Sequence, residues 1–353
     1  MAYSTRAHRF LLFGGWDGVT GINQTWILDP GNGTWTQLHP PSSPTGRGDG
    51  TLVYDSRADA FVLFGGWHEE ANGTYVRLAD TWTFSLANDT WMQEHPAVSP
   101  SPRSDAMVAY DPAADGLLLF GGFDGAHYLG DLWAYALAND TWWPRPSAGQ
   151  PSARADGRIV YVESQDRFVL FGGNDYNGPN FTFHHLADTW SYRWESNSWS
   201  FIPTELAPGA RDYPVFVDDS RDGVLLLTAG YGDRVILNDV WAFNLTTAAW
   251  SPVDSAVSPP PRYAGVGGFD PVDGVFVLFS GAGNSGLLND VWTFEYTPNL
   301  LSRTSGFPVV DVALALAGAV ALGALVFVVH GRRREKRHPG EASEDAPEDH
   351  GRS

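Results

Sequence analysis

Short apolar runs alternate with polar, turn-forming breaks along most of this chain, and the alternation has a long period. One stretch shows the pattern well: Asp105-Ala-Met-Val-Ala-Tyr-Asp111, the apolar run Leu117–Phe120, the alternating Asp131–Leu137 and the short Thr141–Trp143. Runs of this length, rich in aromatic and branched residues and bounded by turn signals, predict strands. The breaks carry matching turn chemistry. Asp111-Pro-Ala-Ala-Asp115-Gly116, Asp218–Gly223 and Asp270-Pro-Val-Asp273-Gly274 separate first from second strands, and Asn32-Gly33, Asn88-Asp89 and Asn139-Asp140 separate third from fourth. Gly, Asn and Asp reach left-handed and Asx-turn conformations cheaply, so each unit predicts a four-stranded antiparallel meander.

The unit recurs. Each apolar second strand ends in a small-residue doublet: Gly14-Gly15, Gly65-Gly66, Gly121-Gly122, Gly172-Gly173, Ala229-Gly230 and Ser280-Gly281, spaced 51, 56, 51, 57 and 51 residues apart. Downstream of five doublets stand two tryptophans nine residues apart: Trp26/Trp35, Trp82/Trp91, Trp133/Trp142, Trp190/Trp199 and Trp241/Trp250; Trp292 has no second member. A period near 50 residues predicts a repeat array, and four-stranded meanders stacked radially give a propeller with only short exposed edges. The fold expected is all-β: a six-bladed propeller over residues 1–297, with the first and last blades incomplete.

The doublet after an apolar strand, the Asp-x-Trp before the third strand and the Trp nine residues on resemble the kelch repeat over residues 2–296. The resemblance implies that the glycines allow close backbone approach and that the tryptophans fill space between blades. It also implies ring closure by a strand borrowed from the other terminus. Tyr3-Ser4 aligns with Tyr54-Asp55, which leaves the first strand short, and Trp292 is followed closely by Pro298. The donor expected is a segment upstream of Met1, together with a secretory signal. Within the wider superfamily, copper radical oxidases need a Cys cross-linked to Tyr, and the chain has none. Other kelch-like propellers act as sugar epimerases or mutarotases, which keeps a carbohydrate-active enzyme as the alternative to a binding module.

The doublet-to-Trp interval is 12 residues in four repeats but 17 and 18 in repeats two and four, so the insertions fall at Trp67–Ala79 and Asn174–Ala187. Insertions confined to one class of loop mark one face of a repeat protein, often the binding face. His68 and His184 belong to these insertions. The adjacent pair His184-His185 would point to opposite sides of an extended chain, a poor chelate. No catalytic residue, metal site or cofactor is expected. Arg47, Arg103, Arg154, Arg211 and Arg262 each precede a doublet by 18 residues. A ring of guanidinium groups could hold carboxylates bidentately. The plainer reading is a structural ring neutralised by Asp49, Asp105 and Asp156, which would leave Arg211 and Arg262 as the candidate free charges. Trp16, Trp67, Phe123 and Tyr231 follow doublets and are candidate rim aromatics, for sugar stacking or apolar side chains.

Residues 308–330 are almost wholly apolar, long enough as a helix for a hydrocarbon core of about 30 Å. Arg332, Arg333, Arg334, Lys336 and Arg337 follow, which places the tail of residues 331–353 on the cytoplasmic side and the propeller outside a plasma membrane, joined by a linker at 298–307. A tail-anchored adaptor facing the cytosol is the alternative. Sequons at Asn23, Asn32, Asn72, Asn88, Asn139, Asn180 and Asn244 suit an exterior face, although several coincide with the Asn-x-Thr-Trp turn. With 22 Lys and Arg against 41 Asp and Glu, the net charge of −19 opposes binding to nucleic acid. The function expected is cell-surface recognition of a protein or glycan through the loop face.

Overall fold

The computed structural model describes residues 1–176, 183–255, 257–297 and 300–303. It is a closed ring of six antiparallel blades, each a meander running outward from the central axis. In blade three the strands are Met107–Asp111, Gly116–Phe120, Leu132–Ala136 and Thr141–Pro144, within two residues of the segments read from the sequence. The turns are as their residues require: Asp89, Asp115 and Asp140 take φ of 53°, 53° and 45°. Buried Asp55, Asp111 and Asp270 close the first strands by accepting turn N–H groups.

The second strands form the core. Phe10–Phe13, Phe61–Phe64, Leu117–Phe120, Phe168–Phe171, Leu225–Leu227 and Val275–Phe279 are all buried, because each is covered on both faces by neighbouring blades. The doublets end these strands with different tolerances. The second member is Gly in all six, with φ between 96° and 120°. That backbone is closed to L side chains, and a Cβ on Gly66 would lie 2.6 Å from the Gly48 carbonyl. The first member sits at the milder left-handed φ of 61–63° in Ala229 and Ser280, which is why these two can carry a side chain.

Each second tryptophan packs across a seam onto the preceding blade. Ring centroids lie 4.7–5.1 Å apart for Trp91 on Phe13, Trp142 on Phe64, Trp199 on Phe120 and Trp250 on Phe171. At three seams the indole also donates across: Trp91 to Thr25, Trp142 to Thr81 and Trp250 to Thr189, at 2.9–3.0 Å. At the other two, Leu132 and Val291 occupy the threonine position, and Nε1 of Trp199 and Trp35 has no acceptor among the described residues.

The last blade corrects the expected closure. Leu300–Arg303 pairs antiparallel with Val291–Thr297 as a fourth strand, and Asp254–Ser255 adds a parallel fifth. The last blade is therefore complete within this chain, and the ring closes through side chains instead of a borrowed strand. Tyr3 donates its hydroxyl to Asp270 at 2.6 Å, and Trp35 packs on Phe279 with centroids 4.7 Å apart. Phe10 lies over Gly268, where a Cβ would come within 2.5 Å of its ring. This contact explains a glycine in the middle of an inner strand. Blade one keeps the short first strand expected, Ala2–Ser4, paired with Arg9–Leu11.

Among the described residues no helix is long and apolar enough to cross a membrane. The expected span 308–330, the tail 331–353, residues 298–299 and 304–307 of the expected linker and Asn180 lie outside the described residues; within that linker, Leu300–Arg303 is a strand of the last blade instead.

Candidate functional site

The loop face is built from one unit used five times. The Arg before each first strand sends two N–H groups to the Asp of the Asp-x-Trp in its own blade: Arg47 to Asp80, Arg103 to Asp131, Arg154 to Asp188, Arg211 to Asp239 and Arg262 to Asp290, at 2.6–2.9 Å. The same Asp accepts from the Trp two residues on, at 2.6–2.7 Å. Arg Nη1 also donates to the doublet carbonyl of its blade, as Arg211 does to Ala229. The backbone of the Arg meanwhile bonds the preceding blade: Gly173 N–H donates to the Arg211 carbonyl, and Arg211 N–H to that of Leu186. One residue thus fastens two loops of its own blade and the seam behind it. Burial pushes the five carboxyls up, but hydrogen bonds and charge from the Arg outweigh it and hold them below the usual range.

This geometry corrects the sequence expectation twice. Arg47, Arg103, Arg154, Arg211 and Arg262 are at most 2% exposed, so none is a ligand-facing cation. Arg211 and Arg262 are paired like the rest, by Asp239 and Asp290, and are not free charges. The partners are also not Asp49, Asp105 and Asp156. The Asp-x-Trp motif carried that information in blades two to six, and Gln24 replaces its Asp in blade one, where it accepts from Trp26.

Asp49, Asp105 and Asp156 instead turn toward the channel mouth. All three have left-handed backbone, and a string of backbone hydrogen bonds joins them: Asp105 N–H to Asp49, Asp156 N–H to Asp105 and Tyr213 N–H to Asp156. Asp49 accepts from Trp67 Nε1 at 2.6 Å. Asp156 and Asp212 share Asn174, whose Nδ2 donates to them at 2.7 and 3.0 Å. Burial, with repulsion among neighbouring carboxyls, pushes Asp49 and Asp156 up to about 7 and Asp105 well above its ordinary range. Burial also raises Asp212, against the opposing pull of His185, whose Nδ1 lies 3.5 Å away. Burial raises both Asp105 and Asp156, and the interaction between the two carboxyls raises Asp105 further and lowers Asp156. An axial cavity of about 270 Å³ opens below, with Asp49, Asp105, Tyr213 and Arg158 on its wall.

The candidate rim aromatics divide. Trp16 and Trp67 are buried and pack on each other at 5.1 Å, which makes them wall rather than rim. Phe123 is half-buried under Arg77, whose guanidinium lies 5.3 Å from the ring, and Tyr231 is half-buried between His185 and Tyr263. Trp67, Phe123, Tyr231 and, in the equivalent place, Asn174 follow doublets and bridge to the loop before the first strand: Gly48 with Trp67, Ser104 with Phe123, Ala155 with Asn174 and Asp212 with Tyr231, whereas Trp16 bridges Gly21. The two insertions form small hairpins, Trp67–Glu69 with Tyr75–Arg77 and Asn174–Tyr176 with Phe183–His185. His68 is half-buried in the first; His184 is exposed in the second, 3.4 Å from Asp175. Asp212, Asn174, Tyr213 and Tyr263 were not visible as site residues: Asp212 and Tyr263 stand where other repeats have Gly48, Ser104 and Ala155, Asn174 where most have an aromatic, and Tyr213 where three have Asp. Asn23, Asn32, Asn72, Asn88, Asn139 and Asn244 are exposed, and Asn32, Asn72 and Asn244 accept hydrogen bonds from the backbone of their own turns. Among the described residues no three groups are set to hold a metal ion.

A six-bladed ring of such units, pinned at each blade by Arg, Asp and Trp, is a kelch-type propeller. The KLHDC2/KLHL20/DRC7 Kelch-repeats domain model matches residues 2–217, well over half of the chain, and the protein belongs to that family. It is similar to the leucine-zipper-like transcriptional regulator 1 homolog of Drosophila melanogaster, 26% identical over 288 residues, covering 77% of this chain and 28% of that protein. It is also similar to Kelch domain-containing protein 10 of Xenopus laevis, 30% identical over 156 residues, covering 42% and 36%. A third similarity is to multiple epidermal growth factor-like domains protein 8 of Mus musculus, 33% identical over 142 residues, covering 38% and 5%. The chain thus spans between one-twentieth and just over one-third of these relatives' lengths. Kelch propellers generally bind proteins, and this fold is that of a protein-binding scaffold.

Proposed function

We propose that the chain is a recognition protein whose propeller binds a protein ligand at the loop face, around the channel mouth. The observation that carries the reading is the contrast in charge on this face. The Arg ring is consumed internally, whereas Asp49, Asp105, Asp156 and Asp212 are crowded together beside half-buried tyrosines. Buried, mutually repelling carboxyls in a concave, aromatic-walled mouth are expensive to maintain for folding alone, and such places are functional candidates. The hairpins of blades two and four stand on the same face.

The placement outside a plasma membrane, with residues 308–330 as a single span and 331–353 as a cytoplasmic tail, belongs to this proposal. Its support is the apolar run and the Arg cluster after it. A glycan ligand is the second arm. It draws on the same aromatics, and the Asp156 carboxyl, pushed up to about 7, suits acid–base chemistry on a sugar.

The experiment is a selection on the purified full chain, with a random peptide display library and a glycan array in parallel. Ligands from the peptide arm that lose affinity on Phe123→Ala and Tyr231→Ala support the reading. Peptide ligands indifferent to both substitutions, or ligands from the glycan arm alone, overturn it. Anomeric NMR on monosaccharides tests turnover directly, and catalysed interconversion would replace binding by enzymology.

A further inference from the structure

Resting on loop-face recognition, we propose that the Asn174 corner of the channel mouth accepts a cationic side chain of the protein partner, a lysine ammonium or an arginine guanidinium. Asn174, Asp156 and Asp212 are 1%, 3% and 3% exposed. The Asn174 amide nitrogen is used twice, holding one oxygen of each carboxyl at 2.7 and 3.0 Å. Among the described residues, two acceptor atoms in the same small cluster then remain without a hydrogen-bond partner, Asn174 Oδ1 and Asp212 Oδ1, while Asp156 also interacts with the Asp105 carboxyl. Asn174 Oδ1 is the independent sign. It belongs to a neutral side chain locked among the carboxyls, and an orphaned buried acceptor is costly whatever the charge around it. The corner is short of donors, and the missing partner is a group rich in N–H.

Charge and shape specify that group further. Among the described residues the basic side chain within reach of Asp212 is the His185 imidazole, at 3.5 Å, while Arg77 and Arg158 act on Asp49, and Arg77 also on Asp105. The ring of Tyr231 lies 5.5 Å from His185 and 5.7 Å from Tyr263, and Tyr213 lies 6.2 Å from Tyr263. All three tyrosines are half-buried, and Tyr213 and Tyr263 lie close enough to Asp212 to feel its charge. Aromatic faces beside carboxylates favour ammonium and guanidinium groups, which bring three and five donors. Tyr213 is held there in left-handed backbone, φ 50°, unusual for a bulky residue, with its N–H donated to the Asp156 carbonyl at 2.8 Å.

The test uses a random dodecapeptide display library selected on the purified full chain, followed by affinities of the recovered peptides by calorimetry. Peptides carrying Lys or Arg are expected to dominate. Their affinity should fall at least about tenfold on Asp212→Asn or on replacing the basic residue by norleucine, as when one partner of a buried charge pair is lost. Asp212→Asn keeps the shape of the side chain, and an unchanged thermal midpoint separates lost binding from lost folding. Asp156→Asn is the second variant should Asp212→Asn fold poorly. Peptides that lose affinity on Phe123→Ala yet contain no basic residue, or ignore both Asn substitutions, overturn the cation assignment and leave loop-face recognition standing. Peptides that ignore Phe123→Ala and Tyr231→Ala as well overturn both.

Discussion

Two sets of charged residues lie within a few residues of each other on the loop face, and they have opposite fates. The Arg ring is paired arm for arm with Asp80, Asp131, Asp188, Asp239 and Asp290, and its carboxyls are held below their usual range. Two residues after three of those arginines, Asp49, Asp105 and Asp156 have no such partner and are pushed upward. The first set recurs in every complete unit because it fixes the loops to the sheet. The second is irregular around the ring, with Tyr213 and Ala264 in the same place in blades five and six. A feature repeated in all blades belongs to the scaffold. A feature that breaks the repeat on a concave face is where a ligand can be recognised.

The largest expected effect comes from breaking the scaffold set. Arg211→Ala leaves Asp239 without its cation and opens a seam, and should cost about 3–5 kcal/mol in urea unfolding. A loss under about 1 kcal/mol would show the pair to be peripheral. Next is closure. Gly268→Ala forces Phe10 aside at the seam between the last blade and the first, and should cost about 1–3 kcal/mol. An unchanged midpoint would mean the seam is loosely packed.

The mouth set should respond to pH in the opposite sense from the scaffold set. Carboxyls raised in the folded state are a burden that is complete above their folded value and disappears toward the unfolded one. Stability should therefore rise as pH falls from 8 toward 5, and more shallowly in Asp156→Asn. The paired carboxyls are depressed, so their contribution is full above the unfolded value and is lost as pH falls below it through the folded values. Urea midpoints across pH check both signs; identical profiles for wild type and Asp156→Asn would remove Asp156 from the titrating set. The smallest effect lies outside both sets. Val291→Thr, nearly isosteric, offers Trp35 the acceptor that Thr81 gives Trp142, and should stabilise by about 0.5–1.5 kcal/mol. Thr81→Val is the reciprocal change, and a cost near zero would show that the hydrogen bond contributes nothing beyond packing.

The repeat was legible because its causes are local. Doublets need left-handed or wider backbone, Asn-Gly and Asp-rich turns announce themselves, and a nine-residue Trp interval is the path from one strand to the next. The Arg partners were present in the Asp-x-Trp motif but were assigned to the nearer Asp. Sequence separation misleads here, since 28–34 residues of meander bring Arg and Asp together while two residues place Asp49 on the channel side. The last strand escaped because Leu300–Arg303 follows a proline and carries no repeat signature. The mouth was least legible, because Asn174, Asp212 and Tyr213 make a site only when blades four and five are adjacent.

The central claim is that the mouth carboxylates, and not the Arg ring, meet the ligand. The most direct measurement is the affinity of one selected basic peptide between pH 8 and pH 5.5, on wild type and on Asp156→Asn. The account predicts strong binding at pH 8 that weakens as carboxyls titrating about 7 take up protons, and a weaker, flatter profile for Asp156→Asn. Equal affinities with superimposable pH profiles would contradict it.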